Sequence, residues 1–226
     1  MKKTILSFVN LFLLTGTVLF AASCTKETVI NEKDTNGVIN GALLTSQINA
    51  LPKETLSIAE IEGLTYLREE EKLAGDVYYK LYERYGVKIF NNIYNSEITH
   101  TNAVFQLLTK YALTDPVGTN SIGVFKDTAL QNLYNSLIAK GNISLQNAYL
   151  VGATIEDVDL YDIKIKASTV DNQDIKLVYD MLAKGSRNHM RAFYKNLLNT
   201  GMTYVPQYIT REEFDAIINT PTETGF

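Results

Sequence analysis

His100 and His189 are the two histidines in 226 residues, and each stands on the apolar stripe of a segment with helical periodicity. Glu97-Ile98-Thr99-His100 sets an acid and an imidazole three residues apart. On a helix that spacing shares one face, about 4.5 Å apart along the axis. Glu156 and Asp159 repeat it, in line with Gly152 and Ile163. Glu71 interrupts the stripe of Leu64, Leu67, Ala74, Tyr78 and Leu81, and His189 falls between Leu182 and Phe193. A core excludes carboxylates and imidazoles that lack partners, so these six residues need a reason to be there. Divalent metal chemistry is one: carboxylate oxygens neutralise and bridge hard cations, and neutral imidazole nitrogens add further ligands. The other is a buried hydrogen-bonded network that fixes helix register without metal.

The elements that must position these residues are helices. Ser57-Ile58-Ala59-Glu60 has the capping-box spacing and opens a long helix that Gly86 stops. A second runs from about Ile89 to Ala112 and ends at a turn with Asp115-Pro116 and Gly118. A shorter one, Phe125 to Ala139, is closed by Gly141. Ser144 begins the third long helix, and Asp171 or Asp174 begins the fourth, which Gly201 closes. Thr210-Arg211-Glu212-Glu213 repeats the capping-box spacing before a last short helix. No segment combines period-two alternation with hairpin turn signals. The expected fold is all-α: a four-helix bundle with an extra short helix in the connection between the second and third long helices and a short C-terminal helix. Each long helix has one apolar stripe to bury against the others.

On this arrangement four helices each aim a metal-capable side chain at one axis. Ferritin-like di-iron sites are built so, from one Glu on each of two helices and a Glu-x-x-His on each of the other two. The run Glu71-Lys72-Leu73-Ala74-Gly75-Asp76-Val77-Tyr78 resembles the first-helix Glu-x-x-Ala-x-x-x-Tyr pattern of rubrerythrins. Further motifs are Arg68-Glu69-Glu70-Glu71-Lys72-Leu73-Ala74, Glu97-x-x-His100, Val151-Gly152-Ala153-x-Ile155-Glu156-x-x-Asp159 and Gly185-Ser186-Arg187-Asn188-His189. Together they resemble the ferritin-like family catalogued as domain of unknown function 2202, from about Leu56 to Ile218. The resemblance implies a ferritin-like fold and a di-metal site, with two iron or manganese ions held by Glu71, Glu97, His100, Glu156 and His189, and Asp159 as a further ligand. Ser186 departs from the pattern, since it stands where a second Glu-x-x-His motif carries its acid. Asp159 can supply that carboxylate; otherwise the site holds one metal, or two with unequal affinity. Glu69 and Glu70 are expected on a solvated face near Lys72.

The amino terminus carries an address. Lys2 and Lys3, an apolar run from Ile5 to Ala22 and the small residues Ala21, Ala22 and Ser23 before Cys24 have the layout of a secretory signal peptide. Ala-Ala-Ser-Cys also resembles a bacterial lipobox, with Ala21 where Leu is usual, which makes Cys24 the lipidated residue. The expected plan is a signal peptide at 1–23, the lipidated cysteine and a polar tether at 24–56, the bundle at 57–219 and a tail at 220–226. Cys24 is the one cysteine, so intramolecular disulfides and cysteine metal clusters are excluded. Cleavage before it leaves 19 basic and 25 acidic side chains, net −6, which argues against nucleic acid. The expected partners are a membrane, through the lipid, and metal ions, with a homodimer compatible with the plan.

Two functions fit. One is an exported di-iron oxidoreductase that oxidises ferrous iron or reduces dioxygen or peroxide. The other is a non-catalytic surface lipoprotein whose bundle binds a metal or a partner protein.

Overall fold

The computed structural model describes residues 37–225. The segment expected to be a signal peptide and Cys24 lie outside the described residues. Seven helices follow in order: α1 Gly41–Ala50, α2 Ile58–Tyr85, α3 Lys88–Tyr111, α4 Thr128–Gly141, α5 Leu145–Ala167, α6 Gln173–Asn199 and α7 Arg211–Ile218. There are no strands among the described residues. None of these helices is long and apolar enough to cross a membrane.

The helix ends follow local chemistry. Ser57 and Glu60 cap α2 reciprocally, and Thr210 and Glu213 do the same for α7. Gly86 ends α2 with φ of 66°, in the left-handed region that a side chain disfavours. Ser144 caps α5 by accepting from the amide of Asn147.

Helix α2 packs along α3 and α5 along α6, while α2 meets α5 and α3 meets α6. The four long helices therefore close a ring, and α4 lies over the seam between α2 and α5. Residues 151–160 of α5 are buried without interruption. That helix consequently presents no broad polar face.

One expectation is corrected. The polar segment 24–56, expected as a tether, contains α1, whose Leu44 and Ile48 are buried against α3 and α6. Lys110 Nζ donates to the carbonyls of Ile48, Leu51 and Pro52 at 2.9, 3.1 and 3.2 Å, satisfying the end of that helix. Two buried anchors are too few to write a sustained period into a Thr- and Asn-rich stretch. The tail beyond 219 is also docked: Glu223 pairs with Arg187 and Arg191, and its backbone exchanges hydrogen bonds with the Asn188 side chain at 2.9 Å each.

Candidate metal centre

The buried acids fall into two sets. Glu60, Glu69, Asp76, Asp157 and Asp174 are satisfied by donors. Glu69 accepts from the amides of Lys126 and Asp127 at 2.6 and 3.1 Å. Asp157 accepts from Tyr204 Oη and from the amides of Gln207, Tyr208 and Ile209 at 2.6 to 3.2 Å, which fastens the segment before α7. Asp174 takes Lys110 Nζ at 2.6 Å and the Tyr111 hydroxyl. These acids are structural.

Glu70, Glu71, Glu97, Glu156 and Asp159 form the other set. Each is buried to 2% exposure or less, and each has at least one oxygen without a hydrogen-bond donor. A buried acceptor left so costs about 1–3 kcal/mol, more when charged. Something else must balance them.

Helix geometry brings five of the six expected residues together. Glu71 on α2, Glu97 and His100 on α3 offer ligand atoms within 4.8 Å of one another, and so do Glu97, Glu156 on α5 and His189 on α6. Glu97 is common to both trios. His100 Nδ1 lies 2.9 Å from one Glu97 oxygen and 3.2 Å from Glu71; His189 Nδ1 lies 2.9 Å from the other Glu97 oxygen and 3.5 Å from Glu156. The two rings stack with centroids 5.4 Å apart. Asp159 belongs to neither trio. It lies one turn along α5 from Glu156 and lines a small cavity with Glu70.

The far side of each imidazole is also held. The Gly37 carbonyl lies 2.8 Å from His100 Nε2, and Ser96 Oγ lies 3.0 Å from His189 Nε2. A carbonyl only accepts, so His100 carries its proton on Nε2. Its Nδ1 therefore turns either a lone pair or a second proton toward the carboxylates. Tyr78 donates its hydroxyl proton to Glu156 Oε1.

Charge balance shows the same tension. Burial opposes the Glu97 carboxylate, but the two imidazoles outweigh it and hold Glu97 well below the usual range. Burial pulls both histidines down, yet Glu97 and its neighbours raise His189 to about 10 and His100 well above its ordinary value. Burial lifts Glu71 to about 7 despite His100, and lifts Glu156 despite His189. Without metal, protons hold this cluster together. Protons and metal ions compete for such atoms.

Residues 60–221 match the model of an uncharacterized protein domain, DUF2202. The chain belongs to the DUF2202 family. It is 52% identical over 178 residues to the uncharacterized protein MJ0754 of Methanocaldococcus jannaschii, which covers 79% of this chain and 96% of that protein. The crystal structure of the hypothetical protein MJ0754 is similar to this DUF2202 fold, with a TM-score of 0.76 over 76% of this chain and 99% of the other.

Three features of this DUF2202 site escaped the sequence reading. Glu69 and Glu70, expected in solvent, are buried at 3% and 2% exposure, because the α3–α5 connection with α4 folds over that face of α2. Gly37, in the supposed tether, touches both histidines: a Cβ there would come within 2.8 Å of His189 Nε2. At Gly185 a Cβ would come within 2.3 Å of His100 Cε1. The glycine beside Ser186 thus admits the His100 ring, while Ser186 Oγ donates to the Leu182 carbonyl at 3.1 Å.

Proposed function

We propose that this chain is a ferritin-like metal protein that holds two divalent ions, iron or manganese, between Glu71, Glu97, His100, Glu156 and His189. One observation carries the reading. His100, fixed by Gly37, turns Nδ1 into a group of carboxylate oxygens that have no donor of their own. A cation reconciles a nitrogen lone pair with those oxygens, and an imidazolium is its protonic substitute. Glu71, Glu97 and Glu156 offset most of two divalent charges, with the imidazoles neutral. The donor set is hard oxygen plus imidazole, suited to iron or manganese.

Bound there, the metal pair would supply redox chemistry toward dioxygen or peroxide and Lewis acidity. The chain's own residues set the conditions. Gly37 and Ser96 fix the orientation of the two imidazoles, as outer partners of metal-binding histidines do. Tyr78 holds one oxygen of Glu156 and leaves the other free. Phe193 and Phe90, packed near Tyr78, keep water from that side.

The experiment is metal loading of the full-length chain under anaerobic conditions with ferrous iron, followed by oxygen. Uptake of oxygen or peroxide with a new near-ultraviolet absorption band is expected, and Glu97→Ala or Glu156→Ala should abolish both. Binding without oxygen or peroxide consumption favours the second reading, a bundle that keeps a metal without turnover. The near-complete burial of all five ligands suits that reading.

The sequence of residues 1–24 supports export and anchorage through lipidated Cys24, on the outer side of a membrane. With the one cysteine so used, electrons come from a partner or from the metal substrate. Cys24→Ser should release the chain from the membrane fraction. Retention of that variant on the membrane would contradict the anchor.

A further inference from the structure

Where α4 covers α2 and α5 there is a cavity of about 10 Å³ lined by Glu70, Asp159, Thr154 and the apolar side chains around them. It has room for roughly one water-sized sphere. Both oxygens of Glu70 and Oδ2 of Asp159 are buried with no donor. Thr154, the other polar side chain of the lining, has its hydroxyl committed to the Leu150 carbonyl at 2.8 Å. No Lys or Arg lines the cavity. A single water donates at most two protons and brings no charge, so beside water alone burial drives Glu70 and Asp159 to hold their protons, well above the usual carboxylate range. A small divalent cation, which takes oxygen ligands at about 2.0–2.6 Å, matches both the size and the charge.

The surroundings continue outward in oxygen donors. The partly buried Asp162 carboxylate lies against Glu70 and accepts from the Tyr66 hydroxyl. Tyr66, Glu69, Asp127 and Lys166 line an open surface pocket of about 490 Å³. Lys166 is turned over the Tyr66 ring, its Nζ 3.8 Å from the centroid, and its charge favours the Glu70 carboxylate without outweighing the burial of that acid. On the inner side, Glu71 follows Glu70 in sequence, and Glu156 precedes Asp159 by one turn.

We propose that Glu70 and Asp159 form a separate divalent-cation site, with Asp162 at its outer edge, by which metal ions pass from the Tyr66 pocket to the Glu71–Glu97–Glu156 centre. The destination rests on the metal reading above; the site itself rests on its own carboxylates and cavity.

The test uses the metal-free full-length chain and Mn(II) alone, with bound ions counted from loss of the free-ion electron paramagnetic resonance signal. Wild type is expected to hold one more ion per chain than Glu70→Gln, and Glu97→Ala is expected to keep that extra ion while losing those of the centre. Equal counts in wild type and Glu70→Gln overturn the site and leave the centre standing. One ion in wild type that Glu70→Gln loses and Glu97→Ala keeps supports the site and removes the centre. No Mn(II) in any of the three overturns both. If Glu70→Gln does not fold, anomalous diffraction from Mn(II) in wild-type crystals decides: density beside Glu70 supports the site, and density elsewhere only overturns it.

Discussion

The main-chain carbonyl of Gly37 accepts a hydrogen bond from Nε2 of His100 at 2.8 Å. A segment ahead of the long helices thereby becomes part of the candidate centre. Ile39 reinforces it, its amide donating to Thr99 Oγ1 at 2.8 Å, one residue before His100. Deleting residues 1–40 should leave the long helices formed and weaken metal affinity by roughly tenfold or more, the usual effect of losing an outer partner of a metal-binding histidine. Isothermal titration with Mn(II) checks this; unchanged affinity would show that Gly37 only covers the site.

Helix α1 makes a second claim about the same segment. Leu44 is fully buried between α3 and α6. Leu44→Ala should destabilise the fold by about 3 kcal/mol, within the range for large-to-small core changes. Urea unfolding measures it. A loss under about 0.5 kcal/mol, the range of surface substitutions, would mean that α1 is not part of the cooperative core.

Arg68 and Asp115 give a pH prediction. Nε and Nη2 of Arg68 donate to the two Asp115 oxygens at 3.0 and 3.1 Å, while Nη1 donates to the Thr101 carbonyl at 2.9 Å. Burial pushes the Asp115 carboxyl up, but the guanidinium outweighs it and holds it below the usual range. A depressed carboxylate contributes stability above its unfolded value and loses it as pH falls through the folded one. Asp115→Asn should therefore cost about 2 kcal/mol at pH 7, with the gap from wild type closing below about pH 4. Unfolding curves at pH 7 and pH 3 test this; a constant gap would contradict it.

The histidines predict the opposite slope. His189 is raised to about 10 by Glu97 and Glu156 in the metal-free protein. A raised histidine contributes stability that is fully present below its unfolded value of about 6.5 and is lost as pH rises through the folded value. In chelator, the melting temperature should fall between pH 7 and pH 10. With Mn(II) bound, the Nδ1 proton has already left, and the fall should be absent. Parallel curves in the two conditions would contradict the exchange of proton for metal.

Much of this was legible in the chain because it is written locally. Capping boxes at Ser57 and Thr210 and the stop at Gly86 mark helix ends within a few residues. His100 and His189 stand out because an apolar stripe with an imidazole in it is a visible conflict. The rest depends on what packs from far away. Glu69, Glu70 and Glu71 are consecutive and chemically alike, yet one is satisfied by amides at the start of α4, one faces a cavity under α4, and one faces His100. Only the fold over α2 separates them. Asp159 shares its spacing with Glu156, but their partners differ, so spacing alone assigned both to one centre. Gly185 was visible only as the first residue of the Gly185–His189 motif, and its reason is the His100 ring from another helix.

Gly185→Ala is correspondingly sharp. The added methyl meets His100 Cε1 and Nε2 at 2.3 and 2.5 Å, so the ring must turn away from Gly37 and the carboxylates. Metal affinity should fall by roughly tenfold or more. Helix content, read by far-ultraviolet circular dichroism, should be kept or slightly raised, since Ala is the better helix former. Unaltered affinity would show that the His100 position is not required.

The most direct test of the central claim is the metal content of the full-length chain against Glu97→Ala, after anaerobic reconstitution with ferrous iron or Mn(II) and removal of loose ions. Glu97 bridges both trios, so the metal reading predicts bound ions in the wild type and loss of every ion of the centre in the variant. Absence of iron and manganese from the reconstituted wild type, or equal content in the two proteins, would contradict it.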